Sequence, residues 1–421
     1  MIPERASNTA EVASAPLGLL SIEAACRRAA AYAGAVDGLE TLPLFLLPGR
    51  TLARNIEAAH ACPPFAQSAM DGYAVATGGG LLPGTVLAVV GRVAAGQAGG
   101  PITAGAASRI FTGAPLPPGA DAVVMQERVN VLDGGIALRD PVRAGEHVRR
   151  MGEDVTPGSL LVEAGIRLDA RHVALLAAQG LAALEVRRRL RVALASTGDE
   201  LLAPGGLPGA GTGIFDSNRP MLLGLLARAG HDVIDVGCVP DDPASLAGVL
   251  ASLADHADLI VTTGGVSVGE EDHSATALAR AGGIGETLRI ALKPGKPALV
   301  GRVGAAAYLG LPGNPVSALV SWSLLGRAMV GALEGRPFQR PLGLGVALAG
   351  PLLRKAGRTE FMPARLATAN GEPMLQVLGS TSARLRPLVD ADGFVEVPAH
   401  VASAQSGTRL PFHAFERLLA P

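Results

Sequence analysis

The stretch Asp258–His273, DLIVTTGGVSVGEEDH, joins a short apolar run to a glycine-rich loop. The apolar residues read as a buried strand, and "SATALARAGG" after them reads as a helix ending on Gly282–Gly283. A strand, a small-residue loop and a helix in that order make the βα unit of an α/β sheet. The loop poses a chemical question. Its glycines and serine let backbone N–H groups approach an oxyanion, yet Glu270, Glu271 and Asp272 follow directly and repel a phosphate unless a cation stands between.

The same alternation extends on both sides. From Leu190 the chain runs "LRVALAS", "SNRPMLLGLLARAG", "HDVIDVGCV" and "DPASLAGVLASLADH" before Asp258, and "NPVSALVSWSLLGRAMVGALEG" closes the series. Strands and helices at this spacing predict βαβ units on a parallel sheet. Upstream, Ser21 caps a predicted helix through "IEAACRRAAAYAGA". From about Cys62 to Arg150 short β-branched runs ("VLAVVGRV", "RIFTGA", "DAVVMQERVNV") alternate with Gly and Pro and predict a small all-β unit. "DARHVALLAAQG" is a second helix, with Asp169 as cap and Gly180 at its end, and strand-and-turn texture returns after "EGRPFQRP". Residues 1–17 show no periodicity and read as a loose arm.

Composition narrows the classes. At 421 residues one core is too few and two to four domains are expected. With 36 basic against 37 acidic residues, neither nucleic acid nor an anionic membrane is engaged through bulk charge, so local clusters must carry any anion binding. Hydrophobic residues reach 48% while aromatics are only 3%, which predicts aliphatic cores. Three scattered cysteines, Cys26, Cys62 and Cys238, fit neither a zinc ribbon nor a disulfide framework. The longest apolar segment, Val316–Leu333, is interrupted by Arg327, and no signal peptide is read at the N-terminus. A cytoplasmic protein is expected.

In a parallel sheet, ligands collect beyond the carboxyl ends of the strands. Three such ends carry unusual loops: "STGDEL" (Ser196–Leu201), "TTGGVSVGEEDH", and "GLPGNPVSA" (Gly310–Ala318). Each also reads as an ordinary turn with a helix cap, Asp272 or Ser274 in one and Asn314 before Pro315 in another. Three in one domain, with doubled glycines and consecutive acids, ask for more than caps. None is a Walker A loop or GxGxxG. "LKPGKP" holds Lys293 and Lys296 in a stiff turn that suits an oxyanion. Asp199, Glu200, Asp216, Asp241, Asp242 and Asp272 supply hard oxygens of the kind Mg²⁺ takes together with substrate phosphates. Outside this domain, "PPFAQSAMDGYAV" fixes Asp71 between Met70 and Gly72, "RIFTGAPLPPGADAVV" carries Thr112, and "VRRMGEDV" sets Arg149 and Arg150 near Asp154.

Eight runs in this order, "SAMDGYAV", "RIFTGAPLPPGADAVV", "RRMGEDV", "STGDEL", "IFDSNRPML", "TTGGVSVGEEDH", "KPGKP" and "LPGNPVSA", resemble the molybdopterin molybdenumtransferase family, shared with one domain of gephyrin. The resemblance spans about residue 18 to the C-terminus. It implies a multidomain α/β plus β protein: residues 18–58 with 151–190 as an elongated helical part, 59–150 as an inserted β domain, 191–336 as a molybdopterin-binding parallel α/β domain, and 337–421 as a β-barrel-like domain. It implies a homodimer whose active site lies between the α/β part of one subunit and the inserted part of the other. The implied reaction ligates molybdate to the dithiolene of adenylylated molybdopterin, with Mg²⁺-dependent release of AMP. The molybdopterin adenylyltransferase and molybdoenzymes are the implied protein partners.

Carried over by motif position, Asp71, Thr112, Arg149 and Asp154 serve the molybdate or phosphoanhydride side, with Lys293 and Lys296 on the anion. Glu200, Asp242 and Asp272 hold Mg²⁺ or the pterin. The pterin is cradled by Ser196, Thr197, Gly198, Asp216, Asn218, Gly264, Gly265, Ser267, Pro312, Gly313 and Asn314, with Ser380, Ser382 and Arg384 of "GSTSARLRP", which resembles the family's serine-rich segment, as further candidates for oxyanion contact. One departure stands out. Many members have Asp-Asn where this chain has Ala66 and Gln67, and Gln67 carries its amide one methylene further out. The rivals, a molybdopterin adenylyltransferase or a competence-damage-type nucleotide pyrophosphatase, lack the "SAMDGYAV" and "RRMGEDV" regions. A non-catalytic scaffold has no need of the acids and lysines.

Overall fold

The structure, a computed structural model, describes residues 18–206, 212–266, 273–369 and 371–419. They fall into two compact units, one of residues 41–48 and 52–186, the other of residues 18–40, 49–51 and 187 onward.

Helix α1 (Ile22–Ala31) starts where Ser21 Oγ accepts from the Ala24 N–H at 3.1 Å. It buries Ile22, Ala25, Cys26 and Ala29, one helical face, and leaves Arg27 and Arg28 exposed. It stops at Tyr32, short of the expected Ala35. That buried face joins the core of the larger unit. The segment with which α1 was expected to group has a small core of its own, in which Leu47 and Leu52 pack with Val162, Leu168, Leu176 and Val186, and α1 has no part in it.

The smaller unit is built on a six-stranded sheet of β1 (Gly72–Val75), β2 (Val86–Val93), β3 (Ala106–Ile110), β4 (Ala122–Met125), β5 (Val129–Leu132) and β6 (Gly135–Leu138), in the order β4-β1-β3-β2-β6-β5. Only β2 and β3 run parallel. Successive residues point to opposite faces, and both faces are covered: Tyr73, Val75 and Val124 enter one cluster, Ala74, Ile110 and Val123 another. That is why β1 (GYAV) and β4 (AVVM) carry no charged residue. Helix α2 (Ala170–Ala178) begins with a capping box, Asp169 accepting from the His172 N–H while His172 accepts from the Asp169 N–H.

In the larger unit the alternation from Leu190 gives β7 (Arg191–Thr197), α3 (Asn218–Arg228), β8 (Asp232–Val239), α4 (Pro243–Leu253), β9 (Leu259–Thr263) and α5 (His273–Arg280), then β10 (Ile284–Arg289), β11 (Pro297–Val303), β12 (Ala306–Leu311), α6 (Pro315–Ser321) and α7 (Arg327–Leu333). The sheet order is β8-β7-β9-β12-β11-β10. The first four strands are parallel, as expected, but β10 and β11 are antiparallel additions, because no helix separates residues 284–311 and they fold back as hairpins. The register sets Thr197 beside Val239, Ser196 beside Thr263 and Thr263 beside Leu311, so four carboxyl ends share one edge.

Leu194, Val261 and Leu309 pack on one face of this sheet with residues of α1, α3 and α6; Ala195, Ile260 and Tyr308 pack on the other with α4 and α5. Pro315–Leu333 is a 19-residue apolar helix, long enough by composition to cross a membrane, yet largely buried in that core. A π segment, Trp322–Gly326, interrupts it where the Trp322 ring lies 2.2 Å from where a Gly326 Cβ would stand.

The last strands, β13 (Leu344–Leu348), β14 (Thr359–Ala369), β15 (Glu372–Val377), β16 (Gly393–Val397) and β17 (Arg409–Ala414), close into a five-stranded barrel in the order β14-β15-β13-β17-β16-β14, with the short helix α8 (Leu385–Val389) between β15 and β16. Closure removes both sheet edges. Leu292–Lys293 adds to β14 in parallel, placing the KPGKP turn against the barrel.

Candidate functional site

At the shared carboxyl edge of β7, β9 and β12 lies a cleft of ≈ 480 Å³. Its floor is polar because the strand ends Ser196–Thr197 and Thr263 bring hydroxyls to it where the ladder stops. The residue after Thr263 is glycine for a steric reason: Gly264 has φ +101, and a Cβ there would stand 2.2 Å from the Thr197 carbonyl oxygen. The loops after β7 and β9 can touch only if that side chain is missing.

Three hydrogen-bonded elements fix the floor. Ser196 Oγ donates to Asp216 Oδ2 at 2.6 Å, and the same carboxylate accepts from the Arg219 N–H at 3.1 Å and Arg219 Nε at 3.2 Å. Arg219 continues to Asp235, which its Nη1 reaches at 2.7 and 2.8 Å. The hydrogen bond to Asp235 chiefly holds the guanidinium above its ordinary pKa, against the effect of burial. Asn218 Nδ2 donates to Thr263 Oγ1 at 2.8 Å and to the Gly313 carbonyl at 2.7 Å, and Thr263 Oγ1 donates to the Pro312 carbonyl at 3.3 Å. One amide thus clamps the loops after β9 and β12 to the start of α3.

Three buried oxygens around this floor have no hydrogen-bond partner among the described residues: Thr197 Oγ1, Asn218 Oδ1 and Ser274 Oγ. Thr197 and Asn218 line the cleft, while Ser274 Oγ and Thr197 Oγ1 both face Gly265, 2.9 and 3.0 Å from where its Cβ would lie. Buried polar atoms are nearly always paired, so an orphaned set on a cleft floor is prepared for a polar ligand. Glu200 and Asp241 bring two carboxylates to the same cleft, and Ile214, Phe215, Ala383 and Leu385 give it an apolar wall.

Of the expected pterin residues, Ser196, Thr197, Gly198, Asp216, Asn218, Gly264, Gly265, Gly313 and Asn314 line this cleft, and Pro312 supports it through its carbonyl. Asn314 occupies the N-cap position of α6, with Pro315 at N1 but no hydrogen bond from its side chain. Ser267 and Asp272 lie outside the described residues, as do Glu270 and Glu271. Asp242 is placed differently from its neighbour. It caps α4, accepting from the Ser245 N–H at 2.7 Å, and that bond holds its carboxyl below the usual range. Asp241 is the one that lines the cleft, its N–H bonded to Asp199 Oδ1 at 3.1 Å and its carboxylate 3.3 Å from His273 Nδ1.

Lys293 and Lys296 are not among the cleft-lining residues. Lys293 Nζ pairs at 2.7 Å with Glu360, a buried barrel carboxylate that also lies 3.5 Å from Arg354. The Lys296 carbonyl accepts from the Ile290 N–H. Ser380 and Arg384 are exposed and Ser382 half-buried. The segment nevertheless reaches the cleft, because the Ser382 carbonyl accepts from the Val316 N–H at 3.1 Å and carries Ala383 and Leu385 to the wall. Sequence reasoning missed Phe215, Ala383 and Leu385; only the neighbouring motifs pointed to them.

In the smaller unit, Asp71 Oδ1 accepts from both the N–H and the hydroxyl of Thr112, each at 2.8 Å. Those two bonds, the backbone one first, hold the carboxyl below its usual range. Gly72 follows because a Cβ would stand 1.9 Å from the Val124 carbonyl oxygen. Arg149 Nε bonds Glu153 at 2.6 Å, and Asp154 is exposed with its N–H on the Cys62 carbonyl. Gln67 pairs with Arg149 in a short ladder, and the Ser68 carbonyl accepts from the Gly113 N–H. One segment therefore links the Asp71–Thr112 pair to Arg149. The ladder uses main-chain atoms, so Ala66 and Gln67 satisfy it as well as Asp-Asn.

Residues 20–180 match the family model of the MoeA N-terminal region (domain I and II), 193–332 a probable molybdopterin binding domain, and 346–415 the MoeA C-terminal region (domain IV). A molybdopterin molybdenumtransferase of Haemophilus influenzae is 34% identical over 90% of this chain and 95% of its own. Molybdopterin molybdenumtransferase 2 of Mycobacterium tuberculosis is 36% identical over 88% and 93%. Among solved structures, a molybdopterin biosynthesis MoeA protein from Pyrococcus horikoshii superposes with a TM-score of 0.76 at 25% identity, covering 94% of this chain and all of that one.

Proposed function

We infer the activity from one premise: the chain belongs to the molybdopterin molybdenumtransferase family. It inserts molybdenum into molybdopterin in the synthesis of molybdenum cofactor. The observation that carries this reading beyond the family is the cleft floor, where the hydroxyl of Thr197 and the amide oxygen of Asn218 are buried without partners among the described residues. A pterin with a phosphate tail offers donors and acceptors for such atoms, and the apolar wall of Phe215 and Leu385 suits a flat ring. The adenylyltransferase and pyrophosphatase readings are not favoured, because a relative bearing the molybdenumtransferase name aligns over 90% of the chain.

The finer reading takes adenylylated molybdopterin and molybdate as substrates and AMP as a product. Asn218 and Asp216 hold the loops in place so that the nucleotide-linked pterin is bound in one orientation, which supplies much of the rate in a reaction that joins two anions. Glu200 and Asp241 suit Mg²⁺, which binds through one or two carboxylates plus substrate phosphates; among the described residues no group of three or more His, Cys, Asp or Glu forms a closed metal cage. Asp272 joins them in this reading, whereas Asp242 is committed to its helix. Bound there, the ion would offset charge on the phosphoanhydride. Lys293 and Lys296, on the rigid turn, remain the candidates for molybdate.

The reading extends to a homodimer in which Asp71, Thr112, Arg149 and Asp154 of one copy serve the cleft of the other, to exchange of pterin with the adenylyltransferase and molybdoenzymes, and to the cytoplasm. The free cysteines Cys26, Cys62 and Cys238 suit a reducing compartment. Purified protein given adenylylated molybdopterin, molybdate and Mg²⁺ should release AMP only when molybdate is present and yield cofactor that reconstitutes a molybdoenzyme. AMP release that ignores molybdate refutes the assignment, and a monomer by light scattering at micromolar concentration refutes the shared site.

A further inference from the structure

Asp71 is exposed, and an exposed aspartate beside a turn is free to swing unless its main chain is held. Both Thr112 hydrogen bonds fall on Oδ1 and leave Oδ2 for a ligand. The main chain is held on two sides. The Asp71 carbonyl accepts from the Gln126 N–H at 3.2 Å, and the Gly72 carbonyl accepts from Arg109 Nη1 at 2.8 Å. Arg109 Nη2 then donates to Gln126 Oε1 at 2.5 Å. A single planar guanidinium therefore bridges the Gly72 carbonyl to Gln126, the residue that holds the Asp71 carbonyl, a span that the point charge of an ammonium cannot make.

The aim of that guanidinium is set by its surroundings. Arg109 stands opposite Tyr73 on β1 and opposite Arg92 on β2. Its Cζ lies 5.2 Å from the Tyr73 ring centre and 4.7 Å from that of Phe111, the residue before Thr112, and Arg92 lies 4.7 Å from the same Phe111 ring. Two like charges side by side on neighbouring strands disfavour the sheet. The rings offset part of that cost. Beyond that stacking, the hydrogen bonds of Arg109 all go to the segment that carries Asp71 and to Gln126 beside it.

We propose that Arg109 is a positioning residue for the Asp71–Thr112 pair, fixing the main chain on both sides so that the free oxygen of Asp71 is presented in one direction. This rests on the reading of Asp71 as a site residue. A double-mutant cycle on molybdate-dependent AMP release tests it. Arg109→Lys keeps the charge and the apolar stem over the rings but loses the bridge; it should lower kcat about tenfold, with KM for the pterin and the melting temperature little changed. In an Asp71→Asn background the same change should cost less than about twofold, since there is no longer a carboxylate to aim.

Equal losses in both backgrounds overturn the positioning role while leaving Asp71 in the site. An Asp71→Asn protein with full activity overturns the site reading and the proposal with it. A crystal structure of Arg109→Lys gives a readout apart from turnover: broken or lengthened Asp71–Thr112 bonds support the proposal, and unchanged bonds overturn it. Should Arg109→Lys fail to fold, Gln126→Ala removes the far end of the same bridge and is read in the same cycle.

Discussion

Asn218→Ala tests whether the cleft floor is one hydrogen-bonded unit. The substitution removes two bonds from Asn218 Nδ2, at 2.8 Å to Thr263 Oγ1 and 2.7 Å to the Gly313 carbonyl. Each bond is worth about 1 kcal/mol net. Gly313 is exposed, so water replaces the amide there and the loss stays near that value. Thr263 is 2% exposed, and its oxygen keeps only its own donation to Pro312, so it adds part of the about 1–3 kcal/mol cost of a stranded buried acceptor. The sum is about 2–3 kcal/mol. Trp322 is the only tryptophan and sits in the core of the larger unit, so its fluorescence in urea reports that unit alone. The midpoint should fall accordingly, and separately kcat/KM for AMP release should fall about tenfold, which corresponds to about 1.4 kcal/mol of transition-state stabilisation lost when the loops are no longer held. Ser323→Ala serves as the control: it removes a buried bond within the helix, to the Leu319 carbonyl, and should leave turnover unchanged. An Asn218→Ala protein within about 0.5 kcal/mol of the parent, or one that loses stability but not activity, refutes the clamp.

Gly264→Ala should abolish turnover, because its Cβ meets the Thr197 carbonyl oxygen at 2.2 Å on a backbone with φ +101; normal kinetics would mean the two loops are not in contact. Asp241→Ala and Asp242→Ala should separate cleanly: the first lowers molybdate-dependent AMP release about a hundredfold with an unchanged melting temperature, the second lowers the melting temperature and spares turnover. The reverse pattern would return Asp242 to the site. For pH, burial opposes ionisation of Asp258, but hydrogen bonds from Arg188 and the Arg191 N–H, with both guanidinium charges, outweigh it and hold the carboxyl below its usual value. A depressed folded pKa stabilises above the unfolded value of about 3.9 and the contribution is lost as pH falls below it. The stability gap between parent and Asp258→Asn in urea should therefore be widest near neutrality and narrow below about pH 4; a gap independent of pH would place the effect in packing.

The fold was legible where local chemistry and tertiary packing agree. β7 to α5 follow the hydrophobic alternation because β7 and β9 are buried on both faces, the edge strand β8 is buried in part, and each helix is buried on one. β10, β11 and β12 were not legible as antiparallel hairpins, since strand direction depends on connection length and not on the residues within each strand. The grouping of α1 was hidden for a related reason. Its face of Ile22, Ala25, Cys26 and Ala29 is apolar whichever core it enters, and only the partner surface decides.

The site divides along the same line. Small residues at strand ends were readable, because Thr197 and Gly264 are demanded by close approach at positions the strand pattern already fixes. The acids were not. In "PDDP" the two aspartates are chemically identical, and what separates them is one step of backbone: Pro243 starts α4, which makes Asp242 the cap and turns its carboxylate onto the Ser245 N–H. Asp241, one residue earlier, stands outside the helix, so its carboxylate is left for the cleft. The capping rule that Pro at the first helical position follows a capping Asp was enough to draw that distinction from sequence. Motif position spoke only for a loop, whereas the helix terminus says which of its two acids is free to bind a ligand.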